Sequence, residues 1–155
     1  MTRAYLSLGS NMGDRGEHLR EGVRLVTQGV THRVSRVYET EPVGGVDQDD
    51  YWNLVVELDT QGSAPELLAL AQRAEAARGR VRDVRWGPRT LDVDVLYVEG
   101  VTSDDPELTV PHPRLYERAF VLAPLHELAP DLVTERQLAA GVGRVRVLGT
   151  LESLA

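Results

Sequence analysis

The chain has 155 residues, 42% of them hydrophobic, which suits one domain, residues 1–155, with a core of its own. Its net charge of -7 argues against binding to nucleic acid, which needs a basic surface to displace counterions. It contains no cysteine, and all 17 basic residues are arginines, so disulfides, cysteine nucleophiles, lysine-based phosphate loops and Schiff-base chemistry are excluded.

The N-terminal sequence carries no signal for secretion or membrane insertion. Residues 4–8 form only a short apolar run, and no stretch approaches the length of a membrane span. We therefore expect a cytoplasmic protein that makes no contact with a membrane.

The first part of the sequence predicts a strand, a helix and a second strand. Residues 4–9 predict the first strand, and Asp14 caps the helix that follows it. The second strand is predicted over residues 32–38. Residues 41–50 are predicted to be a loop of the kind that covers an active site.

The third predicted strand, residues 51–58, separates its side chains by face. Alternation places Trp52 and Leu54 on the face toward the core. Tyr51 and Asn53 therefore share the opposite face.

The next part of the sequence predicts a second helix and a fourth strand. Ser63 caps the helix and Gly79 ends it, with Gln72 and Glu75 at the polar edge of its buried stripe. The fourth strand is predicted over residues 91–98. This βαββαβ order is that of a ferredoxin-like α+β fold, an antiparallel sheet with helices on one face and C-terminal additions. We expect the first and fourth strands near the middle of the sheet.

The fourth strand begins with two carboxylates. Asp92 and Asp94 lie two residues apart, so they share a face about 6.6 Å apart and can converge on magnesium. Residues 78–89 just before them hold five arginines and one acid, a local charge of +4 suited to phosphate. Together they indicate phosphoryl transfer from a nucleotide. Taken singly, each feature is also typical of a solvated surface.

Several motifs together resemble the 6-hydroxymethyl-7,8-dihydropterin pyrophosphokinases of folate biosynthesis. The similarity covers nearly the whole chain, and the most specific motif is Arg-Trp-Gly-Pro-Arg-Thr-Leu-Asp-Val-Asp at residues 85–94. Others are Gly-Ser-Asn at 9–11, Tyr-Trp-Asn at 51–53, Val-Pro-His at 110–112 and Arg-Ala-Phe at 118–120. The resemblance implies transfer of diphosphate from Mg-ATP to the pterin hydroxymethyl group, with release of AMP.

The resemblance also implies roles for individual residues. Two Mg²⁺ ions are held by Asp92 and Asp94, and Arg80, Arg82 and Arg89 engage the phosphates. The nucleotide is contacted by Gln72, Glu75, Arg82, Trp86, Arg89, Leu108, Thr109, His112 and Arg118. The pterin is bordered by Thr40, Glu41 and Val43, read by Asn53, and stacked between Tyr51 and Phe120. Glu107, Pro113 and a shortened basic loop depart from the family pattern.

Other interpretations remain open on the residues alone. Tyr51 and Phe120 could be core aromatics, and His112 could be structural. Gly9-Ser10 with the two aspartates resembles the motif pair of nucleotidyltransferases, although about eighty residues separate the two parts here. A third possibility is a non-catalytic ferredoxin-like module that binds an anion or RNA. The tail after about residue 135 is assigned no role.

Overall fold

The computed structural model describes residues 2–40, 50–79 and 90–154. These ranges contain eight strands: β1 Thr2–Ser10, β2 Thr31–Val34, β3 Val37–Thr40, β4 Tyr51–Thr60, β5 Asp92–Val98, β6 Ser103–Asp105, β7 Leu108–Val110 and β8 Val145–Gly149. They also contain four helices: α1 Arg15–Val26, α2 Ala64–Ala77, α3 Ala119–Leu128 and α4 Glu135–Ala140. The predicted strand and helix order is confirmed, except that the second strand is split.

The helix ends follow the predicted capping signals. Asp14 accepts a hydrogen bond from the backbone of Glu17 at 3.0 Å, which satisfies one free N–H group at the start of α1. Ser63 and Glu66 form a complete capping box at the start of α2. Gly79 ends that helix region with φ +71°, a left-handed conformation that glycine adopts without strain.

A six-stranded sheet organises these elements. Its strands follow the order β5-β1-β4-β3-β8, and β2 pairs with the other end of β4. The pairings of β1 with β4 and β5 are antiparallel. The expected central position of the fourth strand is wrong, because among the described strands β5 pairs with β1 alone and lies at the edge of the sheet. The first strand is interior, as expected.

The second predicted strand is divided at Ser35. Its backbone N–H donates to the Val55 carbonyl at 2.9 Å, and its hydroxyl oxygen accepts from the Val55 N–H at 2.9 Å. A side chain thus replaces one backbone partner in the ladder, and the chain continues as β3 along the same edge of β4.

The sheet is covered on both faces. On one face, α1 and α2 bury a cluster that includes Leu6, Leu54 and Val93. On the other, α3 packs over a second cluster that includes Tyr5 and Leu96. Helix α3 therefore forms a layer of its own, on the face of the sheet opposite α1 and α2.

Two additions follow the βαββαβ order. The β6-β7 hairpin forms a separate two-stranded sheet, and β8 extends the main sheet by pairing with β3. None of the helices in the described ranges is long and apolar enough to cross a membrane.

Candidate active site

The two predicted metal ligands lie on one face of the edge strand β5. Val93 and Val95 point into the cluster under α1 and α2, so Asp92 and Asp94, which alternate with them, lie on the opposite face. Both are partly exposed. Asp92 pairs with Gly9 and Asp94 with Ser7 on β1. The prediction that the carboxylates share a face is confirmed, and that face is the one covered by α3 further along the sheet.

Glu75 holds the strand between these carboxylates. Its side chain is only 5% exposed, and its Oε2 accepts a hydrogen bond from the backbone N–H of Val93 at 2.9 Å. The predicted place of Glu75 at the polar edge of α2 is wrong, because the helix packs against β5 and buries it there. Gln72, one turn earlier, is exposed as expected.

His112 is fixed against the same strand by backbone contacts. Its N–H donates to the Leu96 carbonyl at 2.8 Å, and its ring Nδ1 accepts from the Arg114 N–H at 3.1 Å. The proton of the neutral ring therefore lies on Nε2. Burial, and then the charges of Arg118 and Arg114, lower the pKa of His112, while Asp92 opposes them. His112 is neutral at pH 7 and can donate a hydrogen bond from Nε2.

A small cleft joins His112 to Asp94. It has a volume of about 180 Å³, and Asp94, Leu108, Thr109 and His112 all line it. Three predicted nucleotide-contacting residues therefore lie beside a predicted metal ligand.

Arg118 places a cation near both carboxylates. Its guanidinium lies 5.4 Å from the centroid of the Phe120 ring. Burial and Arg114 lower the pKa of Arg118, whereas Asp94 and Asp92 raise it, so both aspartates act on this guanidinium. A guanidinium stays charged at neutral pH under such shifts. Arg118 can therefore attract phosphate oxygens at this site.

The predicted pterin residues lie further along the same face. Asn53 is 4% exposed, and its Nδ2 donates to the Thr40 hydroxyl at 2.7 Å. A Cβ on Gly9 would lie 2.5 Å from Asn53 Oδ1 and 3.3 Å from Tyr51 Cδ1. Both side chains therefore lean over Gly9, which confirms that Tyr51 and Asn53 share a face. The sequence indicated Gly9 as a strand end and as part of the Gly-Ser-Asn motif, but its role in this close approach was missed.

A cavity of about 600 Å³ is lined by residues predicted to contact the pterin and by one predicted to contact the nucleotide. Thr40 and Phe120, predicted to contact pterin, line it together with Arg118. Arg114 and Arg144 also line it, and the sequence interpretation missed both. Arg114 lies four residues before Arg118, and this repeat of arginines was the available signal.

The remaining predicted site residues lie outside the described residues. They are Glu41, Val43, Arg80, Arg82, Trp86 and Arg89. Their predicted roles stay predictions.

The positions of Gly9 and Ser10 on β1 argue against the nucleotidyltransferase alternative. The sheet does bring Gly9 beside Asp92, despite their separation in sequence. Ser10, however, alternates to the other face and is fully buried. Its hydroxyl cannot act with the carboxylates, as that alternative requires.

Comparisons with known proteins give the family. The sequence profile of the 7,8-dihydro-6-hydroxymethylpterin-pyrophosphokinase (HPPK) family matches residues 5–130. The chain is 49% identical over 135 residues to the 2-amino-4-hydroxy-6-hydroxymethyldihydropteridine pyrophosphokinase of Bacillus subtilis, covering 85% of this chain and 81% of the relative. The protein of the same name from Methylorubrum extorquens is 48% identical over 142 residues, covering 86% of each chain.

A solved structure shows the same fold. The crystal structure of the HPPK-DHPS of Plasmodium falciparum with SDX-DHP superposes with a TM-score of 0.62 at 15% sequence identity. The match covers 99% of this chain but 43% of that one, so the chain spans less than half of the Plasmodium protein. The profile match and the two bacterial relatives show that this chain belongs to the 7,8-dihydro-6-hydroxymethylpterin-pyrophosphokinase family.

Proposed function

We propose that this chain transfers the diphosphate group of Mg-ATP to the hydroxymethyl group of 6-hydroxymethyl-7,8-dihydropterin, a step in folate biosynthesis. The substrate hydroxyl oxygen forms a bond to the β-phosphorus of ATP. The bond from that phosphorus to the oxygen bridging the α-phosphate breaks, and AMP leaves with this oxygen. The hydroxyl proton passes to solvent. Family membership and the names of the bacterial relatives support this reaction.

One observation in the fold carries the proposal. Asp92, Gly9 and Asn53 pair in a row across β5, β1 and β4, all on one face of the sheet. Adjacent strands lie about 4.8 Å apart, so the backbones of Asp92 and Asn53 are roughly 10 Å apart. The distance between the carboxylate pair, which could bind a metal-bound polyphosphate, and the Asn53 amide, which can hydrogen-bond a heterocycle, is therefore about the length of one small substrate.

Asp92 and Asp94 fit magnesium in number and type. In the parts of the chain that the structure describes, no group of three or more His, Asp or Glu side chains could hold a metal alone. Magnesium is commonly bound by one or two carboxylates, with phosphate oxygens and water as its other ligands. We propose two ions, because a transferred diphosphate carries more charge than one ion neutralises; when bound, they would offset that charge and orient the phosphates.

Different side chains of the chain are proposed to contact the phosphates, the nucleotide and the pterin. Arg118 adds positive charge beside the phosphates, and the arginines Arg80, Arg82 and Arg89 are proposed to do the same. The nucleotide is proposed to contact Gln72, Glu75, Trp86, Leu108, Thr109 and His112. Asn53 is proposed to hydrogen-bond the pterin edge, with Tyr51 and Phe120 on its ring faces and Thr40, Glu41 and Val43 at its border. Because ATP and Mg²⁺ are abundant in the cytoplasm, we place the reaction there.

The identity of the nucleotide product tests this function. The protein is incubated with Mg-ATP, with and without 6-hydroxymethyl-7,8-dihydropterin, and the nucleotides are separated by chromatography. We expect AMP only when the pterin is present. ADP as the product, or no turnover, would retire the proposal, and no turnover would favour the non-catalytic module.

A further inference from the structure

The C-terminal segment, residues 140–144, lies against the residues that border the proposed substrate cavity. The Val142 N–H donates to the Glu117 carbonyl at 2.8 Å, and the Val142 carbonyl accepts from the Ala119 N–H at 3.0 Å. These bonds form a parallel bridge between Val142 and Arg118. The segment is thereby joined to the chain on both sides of Arg118.

This contact satisfies an N–H group at the start of α3. Helices usually begin with a Ser, Thr, Asp or Asn whose side chain caps the first turn. Here the N-cap residue is Arg118, which makes no side-chain cap hydrogen bond. The Val142 carbonyl instead accepts from Ala119, one of the N–H groups left free at a helix start. Position 118 can therefore hold an arginine whose side chain lines the cavity and lies over the Phe120 ring.

Close packing at Gly141 makes this arrangement possible. A Cβ on Gly141 would lie 2.9 Å from Leu122 Cδ1, 3.1 Å from Ala119 Cα and 3.2 Å from Ala119 N. Two of these atoms belong to the backbone, so they cannot move aside without moving the start of α3. The φ of Gly141 is -63°, which any residue adopts. Glycine is needed here for space, not for its backbone conformation.

The two side chains that flank Ala119 both line the cavity. Arg118 precedes Ala119, Phe120 follows it, and the Arg118 guanidinium lies over the Phe120 ring. Ala140, Val142, Gly143 and Arg144 form another part of the cavity wall. A shift of the Ala119 backbone would move the guanidinium and the ring together.

We infer that Gly141 and Val142 are positioning residues that set Arg118 and Phe120 in place for catalysis. This inference rests on the proposed function, which gives Arg118 to the phosphates and Phe120 to the pterin. Displacements of about 1 Å at a distance from the reacting atoms can cost roughly a hundredfold in rate. The C-terminal segment, although it lies beyond the matched residues 5–130, thus contributes to the site.

The chain offers a direct probe, because Phe120 is its only phenylalanine. Protein labelled with 4-fluorophenylalanine gives a single ¹⁹F NMR signal from this ring. In the parent chain, we expect the signal to shift when 6-hydroxymethyl-7,8-dihydropterin and an unreactive Mg-ATP analogue are added. A signal that does not shift with either ligand would contradict the role of Phe120 in the proposed function, whether or not Gly141 positions the ring.

Gly141→Ala tests the positioning itself. We expect its ligand-free ¹⁹F signal to differ from that of the parent, its pterin KM to rise about tenfold and its kcat to fall. Ala139→Ser is the control next to the segment, because Ala139 is exposed on α4, two residues before Gly141, and does not line the cavity. Gly29→Ala controls for lost stability, because Gly29 has φ +66° in the distant turn after α1. Both controls should keep the parent signal and KM.

Two results would overturn the inference. The first is a Gly141→Ala protein with the parent ¹⁹F signal and the parent KM. The second is a change in Gly141→Ala that Gly29→Ala reproduces at an equal loss of melting temperature, since lost stability alone would then explain it.

Discussion

The two faces of the central sheet use the same strands for different purposes. Toward α1 and α2, strand β1 presents Ala4, Leu6 and Leu8, all with no exposed surface. Toward α3, the same strand presents Ser7 and Gly9, which pair with Asp94 and Asp92. Side chains on a strand alternate between faces, so each residue that stabilises the core is followed in sequence by one on the face that carries the site.

This difference shows why the site can hold charged side chains. The helix face is a closed apolar cluster, which supplies burial energy at about 25 cal/mol per Å². On the opposite face, an apolar cluster lies under α3, and the polar residues Asn53, Asp92 and Asp94 lie beside it. Substitutions on the two faces should therefore have separable effects on activity and on stability.

The largest expected effect is the loss of a carboxylate. Asp92→Ala or Asp94→Ala removes an oxygen ligand, and the lost metal and nucleotide binding should cost several kcal/mol, or on the order of 10³-fold in AMP release. Both side chains are partly exposed, so the melting temperature should stay close to that of the parent. AMP release within tenfold of the parent rate would refute the proposed metal role.

A core substitution on the opposite face should show the reverse pattern. Leu6→Ala leaves a cavity in the cluster under α1 and α2, and we expect unfolding in urea to cost about 2–5 kcal/mol less than in the parent. At temperatures where the variant is folded, its kcat should match that of the parent. An active-site defect in a fully folded Leu6→Ala protein would show that the faces are not independent.

Asn53→Ala should have a smaller and more selective effect. It removes the amide that the pterin is proposed to meet, and an unpaired polar group costs about 1–3 kcal/mol, or about 5- to 150-fold in pterin KM. ATP binding, measured by calorimetry, should be nearly unchanged. An equal loss for both substrates would mean that Asn53 supports the whole site and does not read the pterin.

The smallest expected effect concerns pH. Burial lowers the pKa of His112 in the folded state, so the unfolded chain binds a proton first as the pH falls through about 6.5. The free energy of unfolding should therefore decrease between about pH 7 and pH 5. His112→Asn should flatten this decrease. Equal slopes in the parent and His112→Asn would contradict this assignment.

Local periodicity predicted much of the fold and of the site. Alternation alone placed Asp92 with Asp94 and Tyr51 with Asn53, and the structure confirms both pairs. The capping signals at Asp14 and Ser63 likewise located the helix starts. These features depend on residues within a few positions of one another, which a sequence shows directly.

Features that depend on distant contacts were not predicted. Periodicity in α2 cannot show that β5 lies against Glu75 and buries it. The split at Ser35 arises from a hydroxyl that bonds to Val55 on another strand. The edge position of β5 likewise depends on which strand it pairs with. The contact of Gly141 with Ala119 joins segments too far apart for any local pattern to indicate it.

The central claim is that one face of the sheet directs an intact diphosphate from ATP onto an alcohol. ³¹P NMR of a complete reaction with Mg-ATP and 6-hydroxymethyl-7,8-dihydropterin follows every phosphorus atom at once. We predict that the ATP signals are replaced by one AMP signal and two coupled signals of a pterin diphosphate. Signals of ADP and a pterin monophosphate, or of free pyrophosphate, would contradict the account.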